Sequence, residues 1–549
     1  MLKLCLGDIA DAAKRAEWDA AGVKLPRFDC SAMRGETMAD PVWLHFGVGN
    51  IFRSFVAPLS QKLLDKGLCG RGVVAVEPFD YEIVDKIYEP YDNLSLLAGL
   101  KPDGACDYEL TASIAGALKA DFSDEAQAAA IRKIFRSPGL QLVSLTITEK
   151  GYALKGIDGS FLPVAARDIE SGPDGGGADG REGGGNSDRA GGGADGREGG
   201  GNSDRAGGGA DGREGGGNSD RAGDGADGRE GNGNSDRAGD GADGREGGCN
   251  GARADEQSRG GAPARPKPPL RHCMSILAAM LLERYRAGAY PVAIVSMDNF
   301  SHNGAQLKAS VLEIARAWQR KGFVGEGFAG YLGDEGKVAF PWTMIDKITP
   351  RPAESVRRRL ASAGLDLPPV VTDKGTFIAA FVNAEIPQYL VVEDSFPNGR
   401  PPLEEAGVLF ADRETVNNVE RMKVTTCLNP LHTALAVFGC LLGYKLIADE
   451  MRDAGLRGLV ERIGYDEGMP VVPAQSVIDP SAFLREVLTE RLPNPFMPDT
   501  PQRIATDTSL KLSIRYGETI KSYMARDDLD ARRLACIPLV LAAWCRYLL

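Results

Sequence analysis

The stretch RMKVTTCLNPLH places Lys423, Asn429 and His432 within ten residues of one another. A lysine and a histidine can exchange protons, and a side-chain amide can donate or accept hydrogen bonds. The chain has only four histidines, and this one stands where an apolar helical segment, TALAVFGCLLGY, begins. Two interpretations are open at this point: an ordinary Asn-Pro helix start, or a reactive site at the positive end of that helix.

Pro430 decides how these side chains can meet. On one straight helix Lys423 and His432 would point in opposite directions, since nine positions correspond to about 180°. Proline suits the first turn of a helix and keeps the preceding residue out of the helical conformation. The sequence therefore predicts a helix from Pro430 to Gly455 with Asn429 as its N-cap. The segment MKVTTCL is then extended or turning, and it can bring Lys423 back toward the helix start.

An apolar run, a glycine turn and an amphipathic helix follow one another in PVWLHFGVGNIFRSFVAPLSQKLLDKG. This order is typical of the first βα unit of a dinucleotide-binding fold, with Gly47 and Gly49 in the tight turn. Phe52 replaces the third glycine of the usual pattern, so the motif alone is weak. The next strand, GVVAVE, ends in Glu77, which can bind a ribose 2′-hydroxyl and repel a 2′-phosphate. This favours NAD over NADP, and the alternative is a surface carboxylate.

Two further apolar runs predict strands of the same sheet. LQLVSLTIT leads into EKGY, and YPVAIVSMDNFSHNG ends in a group of polar residues, Asp298, Asn299, His302 and Asn303. Ligands of α/β sheets bind at the carboxyl ends of the strands, where these side chains would lie. The alternative is a simple turn built on Asp-Asn and Asn-Gly. PLRHCMSILAAMLLERYRAG, just before the second run, is a suitable crossover helix, so the first half predicts an α/β fold.

Composition and charge argue against several classes of protein. A chain of 549 residues predicts two to four domains, and a net charge of −12 argues against a nucleic-acid partner. No window approaches 18 uncharged apolar residues, which argues against a membrane span. The ten cysteines are scattered, and the first apolar patch is too short for a signal sequence, so a cytoplasmic location is expected. The four histidines form no cluster with cysteines, so no metal site is predicted.

A low-complexity segment interrupts the chain between residues 172 and 261. Its unit ADGREGGGNSDRAGGG recurs with a period of 16 and contains no large apolar side chain. Such a segment cannot offset its ordering entropy, so we expect a disordered insertion in a surface loop. An unknown binding role is the alternative.

Seven blocks in order make the chain similar to a known family: HFGVGNIFR, LTITEKGY, SMDNFSHNG, FPWTMIDKITPRP, YLVVEDSFPNGRPPLEEAGV, KVTTCLNPLHTALA and NPFMPDTPQRIATDTSLK. They resemble the mannitol dehydrogenase family, the polyol-specific long-chain dehydrogenases/reductases, from about Val42 onward except in the repeat. The resemblance implies a Rossmann-type N-terminal domain, a mostly α-helical C-terminal domain and metal-independent hydride transfer. We place the domains at residues 1–385 and 386–549.

The resemblance also implies roles for single residues. Lys423 matches the family's catalytic base, which needs a lowered pKa to work near neutral pH. Asn429 and Asn299, the latter preferred over Asn303, would hold the substrate oxygen, and His432 would orient the reacting hydroxyl. The HFGVGNIFR block implies a cofactor site, which with the acid after the second strand comprises Gly47, Gly49, Asn50, Arg53 and Glu77.

The far end of the substrate is expected at RIATDTSLK, which supplies Arg503 and Lys511. An arginine can hold a carboxylate in a bidentate fork, whereas the alternative is two surface cations on a helix. The blocks are most similar to the branch that interconverts D-fructuronate and D-mannonate. Fructose–mannitol or tagaturonate chemistry is the alternative within the family, and an impaired scaffold or binding protein is the alternative outside it. We expect a small sugar acid or polyol as the partner, and a monomer or small homo-oligomer.

Two departures from the family pattern bear on activity. The family's lysine usually stands five residues before the asparagine, whereas Lys423 and Asn429 are six apart. The chain also stops at WCRYLL, where a further helical segment is expected from the pattern. Together with the repeat, these departures raise the hypothesis of an impaired enzyme.

Overall fold

The structure is a computed structural model that describes residues 2–174, 268–474, 477–497 and 499–549. The predicted disordered insertion at 172–261 falls, apart from its first three residues, outside the described residues. The segments before residue 175 and after residue 267 contribute to the same hydrophobic core, because the helices on either side both pack on it.

The strands of the described residues all lie before residue 412. They are β1 (Val23–Lys24), β2 (Trp43–Phe46), β3 (Val73–Glu77), β4 (Ser95–Leu100), β5 (Cys106–Thr111), β6 (Ile114–Lys119), β7 (Leu142–Leu145), β8 (Val292–Ser296), β9 (Val338–Ala339), β10 (Thr343–Asp346), β11 (Val370–Val371), β12 (Phe377–Ile378), β13 (Phe381–Glu385), β14 (Tyr389–Glu393) and β15 (Leu409–Ala411).

The α-helices are mostly short in the last third of the chain, with two longer ones among them. They are α1 (Leu6–Ala10), α2 (Ala12–Ala20), α3 (Cys30–Ala39), α4 (Ala57–Asp65), α5 (Glu125–Arg136), α6 (Pro163–Ser171), α7 (Cys273–Arg286), α8 (Asn303–Arg320), α9 (Glu326–Gly333), α10 (Glu354–Ser362), α11 (Arg413–Met422), α12 (Asn429–Leu442), α13 (Ile447–Glu450), α14 (Ala454–Arg462), α15 (Pro480–Glu486), α16 (Pro501–Ala505), α17 (Thr508–Leu512), α18 (Glu518–Met524) and α19 (Cys536–Leu548).

A six-stranded parallel sheet in the order β6-β3-β2-β7-β8-β9 forms the centre of the first part. Strands β2, β3, β7 and β8 are buried along their whole length, as expected for a parallel sheet covered on both faces. The direction of winding reverses between β2 and β7, which pair through Phe46 and Leu145. That reversal opens a crevice at the carboxyl ends of the two strands, the usual place for a dinucleotide. The predicted Rossmann-type fold is confirmed.

Smaller sheets connect this core to the rest of the chain. A four-stranded sheet has the order β1-β5-β4-β13, and a three-stranded sheet has the order β10-β14-β15. In the second, Asp346 of β10 pairs with Tyr389 of β14 across the boundary expected at residue 385. The mostly helical part therefore begins with α11, because β14 and β15 complete a sheet of the first part.

The segment before Asn429 differs from the prediction. Helix α11 continues directly into a π-helical turn, Lys423–Cys427, so MKVTTCL is helical and not extended. The helical conformation is interrupted at Leu428, which has φ −130° and ψ −64°. Helix α12 then starts at Asn429, with the proline in its first turn. Leu428, not Asn429, is the N-cap. Gly443 ends α12 at φ +83°, well before the predicted end at Gly455, because a left-handed glycine stops a helix.

Residues 413–442 form a segment long and apolar enough to cross a membrane, but 61% of its most apolar window is buried inside the protein. The segment is also interrupted at Leu428 and contributes Val419, Met422 and Leu431 to the core of the helical part. A core helix of a folded domain explains these properties.

Candidate active site

The glycine turn after β2 is shaped by close backbone contact. Gly47 has φ +95° and its N–H donates to the carbonyl of Val76 at 2.8 Å. A Cβ atom on Gly47 would lie 2.1 Å from the carbonyl oxygen of Thr146, so only glycine fits between β2 and β7. A Cβ on Gly49 would meet nothing within 4 Å. The turn is therefore closed toward the sheet and open on its outer side, the form of a cradle for a phosphate group.

Glu77 supports this turn from the end of β3. Its Oε2 accepts from the backbone N–H of Val48 at 3.1 Å, and its Oε1 accepts from the N–H groups of Phe79 and Asp80, each at 2.9 Å. Burial raises the pKa of Glu77, against the lowering effect of those hydrogen bonds. The carboxylate thus joins the glycine turn to the loop after β3, and its contact with a ribose stays a prediction.

Arg53 does not have the exposed position expected of a cofactor ligand. Its guanidinium has no solvent-accessible surface, and it donates to the carbonyl of Ala379 at 2.6 Å and to Asn50 Oδ1 at 2.8 Å. Asn50, which accepts this second hydrogen bond, is itself half-buried. Arg53 therefore positions Asn50, and the direct contact with a cofactor that the resemblance implies stays a prediction.

Asp298 organises the carboxyl edge of β8, and sequence reasoning gave it no role beyond membership of the polar group. Its Oδ2 accepts from the N–H of Ile147 at 2.8 Å and from the Tyr152 hydroxyl at 2.7 Å, and its Oδ1 accepts from the N–H of Thr148 at 3.0 Å. Burial raises the pKa of Asp298, and these hydrogen bonds oppose that shift. Asp298 fixes the loop after β7, where Thr148 is held at φ +66°.

Lys423 and Asn299 meet at the centre of the site. Lys423 Nζ lies 2.9 Å from Asn299 Oδ1 and 2.9 Å from the carbonyl oxygen of Ile345, and its side chain is only 2% exposed. An ammonium group has only donors, so it must face the amide oxygen of Asn299. The amide nitrogen of Asn299 consequently points elsewhere and stays available as a donor.

Asn303 has a structural role instead of the substrate contact expected from the sequence. Its Nδ2 donates to the carbonyls of Asp298 and Thr343 and to Thr343 Oγ1, at 2.8–3.1 Å. Its Oδ1 accepts from the N–H groups of Gly304 and Thr343. All its donors and acceptors are therefore used in joining the start of α8 to β10.

The structure adds three buried charges beside Lys423 that sequence reasoning missed. Asp346 Oδ1 lies 3.3 Å from Lys423 Nζ, and Arg491 pairs with both Asp346 and Glu385. Although burial raises the pKa of Asp346, the charges of Lys423 and Arg491 outweigh it and hold that pKa at about 2. One available signal was the position of Asp346 and Glu385 at the ends of β10 and β13, since acids that end buried strands need a partner.

Asn429 and His432 lie at the start of α12. The Asn429 side chain is half-buried and makes no hydrogen bond to another described residue. Burial lowers the pKa of His432 to about 4, opposed by Asp499 and reinforced by Arg491, so the imidazole is neutral at pH 7. His432 Nε2 lies 3.8 Å from Asp499 Oδ2, beyond hydrogen-bond distance. Both side chains can therefore bind a substrate hydroxyl or carbonyl.

Arg503 and Lys511 differ in their exposure to solvent. Arg503 is 58% exposed and pairs with Asp499, so its guanidinium is available to an anion. Lys511 is buried and donates to the carbonyls of Ile504 at 3.3 Å and Thr506 at 2.8 Å. Lys511 therefore supports the helix that carries Arg503, and its contact with a substrate stays a prediction.

Residues 42–405 match the mannitol dehydrogenase Rossmann domain, and residues 415–549 match the mannitol dehydrogenase C-terminal domain. The chain belongs to the mannitol dehydrogenase family. It is 44% identical to the D-mannonate oxidoreductase of Thermotoga maritima over 97% of this chain and 82% of that protein. The fold resembles a substrate-free D-sorbitol dehydrogenase, with a TM-score of 0.67 at 23% identity over 96% of this chain and 83% of the other. It also resembles Pseudomonas fluorescens mannitol 2-dehydrogenase in a ternary complex with NAD and D-mannitol, with a TM-score of 0.63 at 22% identity over 100% and 84% of the two chains.

Membership of the mannitol dehydrogenase family confirms the oxidoreductase class expected from the sequence. The π-helical turn at Lys423–Cys427 lies within the six-residue stretch from Lys423 to Asn429. A π-helical turn accommodates one more residue than an α-helical turn, and such turns are frequent at functional sites. The six-residue spacing between Lys423 and Asn429 therefore fits a helical path with one added residue.

Proposed function

We propose that the protein is an NAD-dependent oxidoreductase that interconverts D-fructuronate and D-mannonate in hexuronate breakdown. The buried contact between Lys423 Nζ and Asn299 Oδ1, at 2.9 Å, is the observation that carries the mechanism. The D-mannonate oxidoreductase of Thermotoga maritima supports the choice of substrate. The nine cysteines in the described part of the chain are free thiols, which fits action in the cytoplasm.

The residues around β2 fit a dinucleotide. The open side of the Gly47–Gly49 turn would hold the pyrophosphate, and Glu77 beside it would disfavour a 2′-phosphate. The cofactor, when bound, supplies hydride transfer to or from the substrate carbon. Asn50, positioned by Arg53, lies at the start of the following helical segment, where backbone N–H groups favour an anion.

Residues of the chain, and not the cofactor, donate and accept the proton. During reduction Lys423 Nζ gives a proton to the substrate oxygen as the carbonyl becomes a hydroxyl, and during oxidation it takes that proton back. The free amide nitrogen of Asn299 and the unengaged amide of Asn429 donate hydrogen bonds to the same oxygen and stabilise its negative charge. His432, being neutral, can orient the hydroxyl without adding a second charge.

Arg503 is proposed to bind the substrate carboxylate. Its guanidinium is exposed and lies next to Asp499, which also neighbours His432. A planar fork matches a carboxylate with two parallel hydrogen bonds. This arrangement favours a sugar acid over a neutral ketose.

The first test offers D-fructuronate, D-tagaturonate and D-fructose in parallel to the purified protein with NADH or NADPH. We expect oxidation of NADH with fructuronate and little turnover with fructose or with NADPH. Turnover with tagaturonate or fructose instead would transfer the assignment to tagaturonate reductase or mannitol 2-dehydrogenase. No turnover with any substrate in a protein that binds NADH would favour the impaired scaffold.

Arg503→Ala should lower kcat/KM for fructuronate about 10- to 100-fold, because hydrogen bonds to a charged group contribute about 1.5–3 kcal/mol. Activity on a neutral polyol should change far less, which steady-state kinetics on both substrates will show. Arg532→Ala is the matched control, since Arg532 is a highly exposed arginine that pairs with Asp530 just before α19. Equal losses of kcat/KM on the acid and on the polyol would show that Arg503 does not bind the substrate carboxylate.

A further inference from the structure

A sealed group of charges lies directly behind Lys423. Asp346 comes from the end of β10, Glu385 from the end of β13, and Arg491 from the π-helical turn Val487–Arg491 of the helical part. The exposed fractions of the three side chains are 5%, 1% and 3%. Burial of this kind is costly unless each charge is paired, so the arrangement needs a geometric explanation.

The guanidinium of Arg491 binds two carboxylates at once. Nη1 lies 2.5 Å from Asp346 Oδ2 and Nη2 lies 3.2 Å from Asp346 Oδ1. On its other side, Nε lies 3.0 Å from Glu385 Oε2 and Nη2 lies 2.9 Å from Glu385 Oε1. Glu385 is itself fixed by the N–H of Ile348, which donates to Oε1 at 2.7 Å. The planar arginine is thus held in one orientation between two strands of the first part.

This geometry determines which carboxylate oxygen of Asp346 can pair with the amine of Lys423. Arg491 occupies Oδ2 and shares Oδ1, which is also the oxygen 3.3 Å from Lys423 Nζ. Two of the three ammonium hydrogens of Lys423 are directed to Asn299 Oδ1 and the carbonyl of Ile345. The third hydrogen takes part in neither of these bonds, and the nearest carboxylate oxygen, Asp346 Oδ1, is already shared with Arg491.

We propose that Arg491 is a positioning residue for proton transfer, which keeps Asp346 from turning fully onto Lys423 and aligns the Lys423 amine with Asn299. This inference rests on the proposed role of Lys423 in hydride-coupled proton transfer. Glu385 acts indirectly, because it fixes the orientation of Arg491. Neither Arg491 nor Glu385 contacts the substrate in this scheme.

Other charges around the group set the direction of a pH effect. Lys347 lies on the Glu385 side, with Nζ 2.5 Å from the Glu385 carbonyl, and burial lowers its pKa to about 8, with Lys62 and Arg491 adding to that lowering. His432 is neutral, and Asp499 lies beyond it. Arg491 is thus the cation paired with the carboxylate that also contacts Lys423. Its removal should stabilise the ammonium form. Because oxidation needs the unprotonated amine, the rise of oxidation activity with pH should then move to higher pH.

Two variants test the proposal, because removing Arg491 alone leaves two buried carboxylates unpaired and endangers folding. Arg491→Lys keeps the positive charge and loses the double fork. The double variant Arg491→Met with Glu385→Gln removes one charge of each sign and leaves Asp346 to Lys423 alone. Folding is checked by the melting temperature and by NADH binding, and kcat for mannonate oxidation is measured from pH 6 to pH 10.5.

We expect kcat to fall about 10- to 100-fold in both variants, as for a misplaced catalytic group, with KM for NAD unchanged. The rising limb of the pH profile of oxidation should shift upward by about one pH unit in the double variant and stay in place in Arg491→Lys. A lower melting temperature with wild-type kcat and an unmoved pH limb would show that Arg491 only stabilises the fold and would overturn the proposal.

A second readout separates this proposal from the proposed reaction. Protein labelled with ¹³Cε-lysine allows the ionisation of Lys423 to be followed by NMR, with the signal assigned by its loss in Lys423→Met. The double variant should move the titration midpoint of that signal upward whether or not fructuronate is the substrate. An unchanged midpoint in the folded double variant contradicts the role of Arg491 even if the enzyme reduces fructuronate as proposed.

Discussion

Lys423→Met should reduce kcat for fructuronate reduction by about 10²- to 10⁴-fold, the usual contribution of a positioned general acid or base. Methionine fills most of the volume of lysine but carries no exchangeable proton. Asp346 keeps Arg491 as a partner in the variant, so the buried carboxylate is not left unpaired and the fold should persist. The measurement is steady-state turnover together with NADH binding by fluorescence, which should be retained because the Gly47–Gly49 turn is untouched.

Lys445→Met serves as the control, because Lys445 is an exposed lysine of the same helical part. Its turnover should equal that of the wild type. Added primary amines should partly restore the turnover of Lys423→Met and have no effect on the control. Residual activity within tenfold of the wild type would place the proton donor on another residue.

Glu450→Gln should stabilise the protein at pH 7 and flatten its stability between pH 5 and pH 8. Glu450 ends α13 with no exposed surface, and neither of its carboxylate oxygens has a hydrogen-bond partner among the described residues. It is packed so tightly that a Cβ on Gly439 would lie 2.2 Å from its Oε1. Burial raises the pKa of Glu450 to about 8.

The direction of the pH effect follows from this raised pKa. Below the ordinary glutamate range both folded and unfolded chains keep the proton, so the group does not affect stability. As pH rises, the unfolded chain loses the proton first, and the cost to the fold reaches about 3 kcal/mol at pH 7 and grows until the folded carboxyl ionises near pH 8. Glutamine does not ionise and removes this cost while keeping the shape of the side chain.

Thermal or urea unfolding of Glu450→Gln and wild type at several pH values measures the difference. The control is Glu461→Gln, a partly exposed glutamate of α14 whose ion pair with Arg457 should contribute under 1 kcal/mol. Parallel pH profiles for wild type and Glu450→Gln would mean that the carboxyl is ionised in the fold and has a partner.

The family and the fold class follow from local patterns. Buried strands with apolar runs, a glycine turn after the first of them and a helix after that turn are properties of neighbouring residues, and β2, Gly47 and β7 lie where those patterns predict. Lys423, Asn429 and His432 were also found from one stretch of sequence. Even the start of α12 was predicted to within one residue, because proline restricts the backbone of its own neighbours.

Tertiary packing decided the use of the individual side chains. Asn299 meets Lys423 across 124 residues, and Arg491 meets Asp346 across 145. No local rule predicts such contacts, because they depend on how separate elements pack. Arg53, Asn303 and Lys511 have residue types suited to ligands, yet packing buries each of them and directs its polar atoms to the protein itself.

The sequence alone thus determined the kind of protein and the short list of reactive residues, since hydrophobic period, glycine and proline act over a few positions. The tertiary structure decided which of those residues remain available for chemistry and which charges surround Lys423. Access to solvent and distance between charges are properties of the packed whole, and they exist only once β8, β10, α12 and the Arg491 turn have come together.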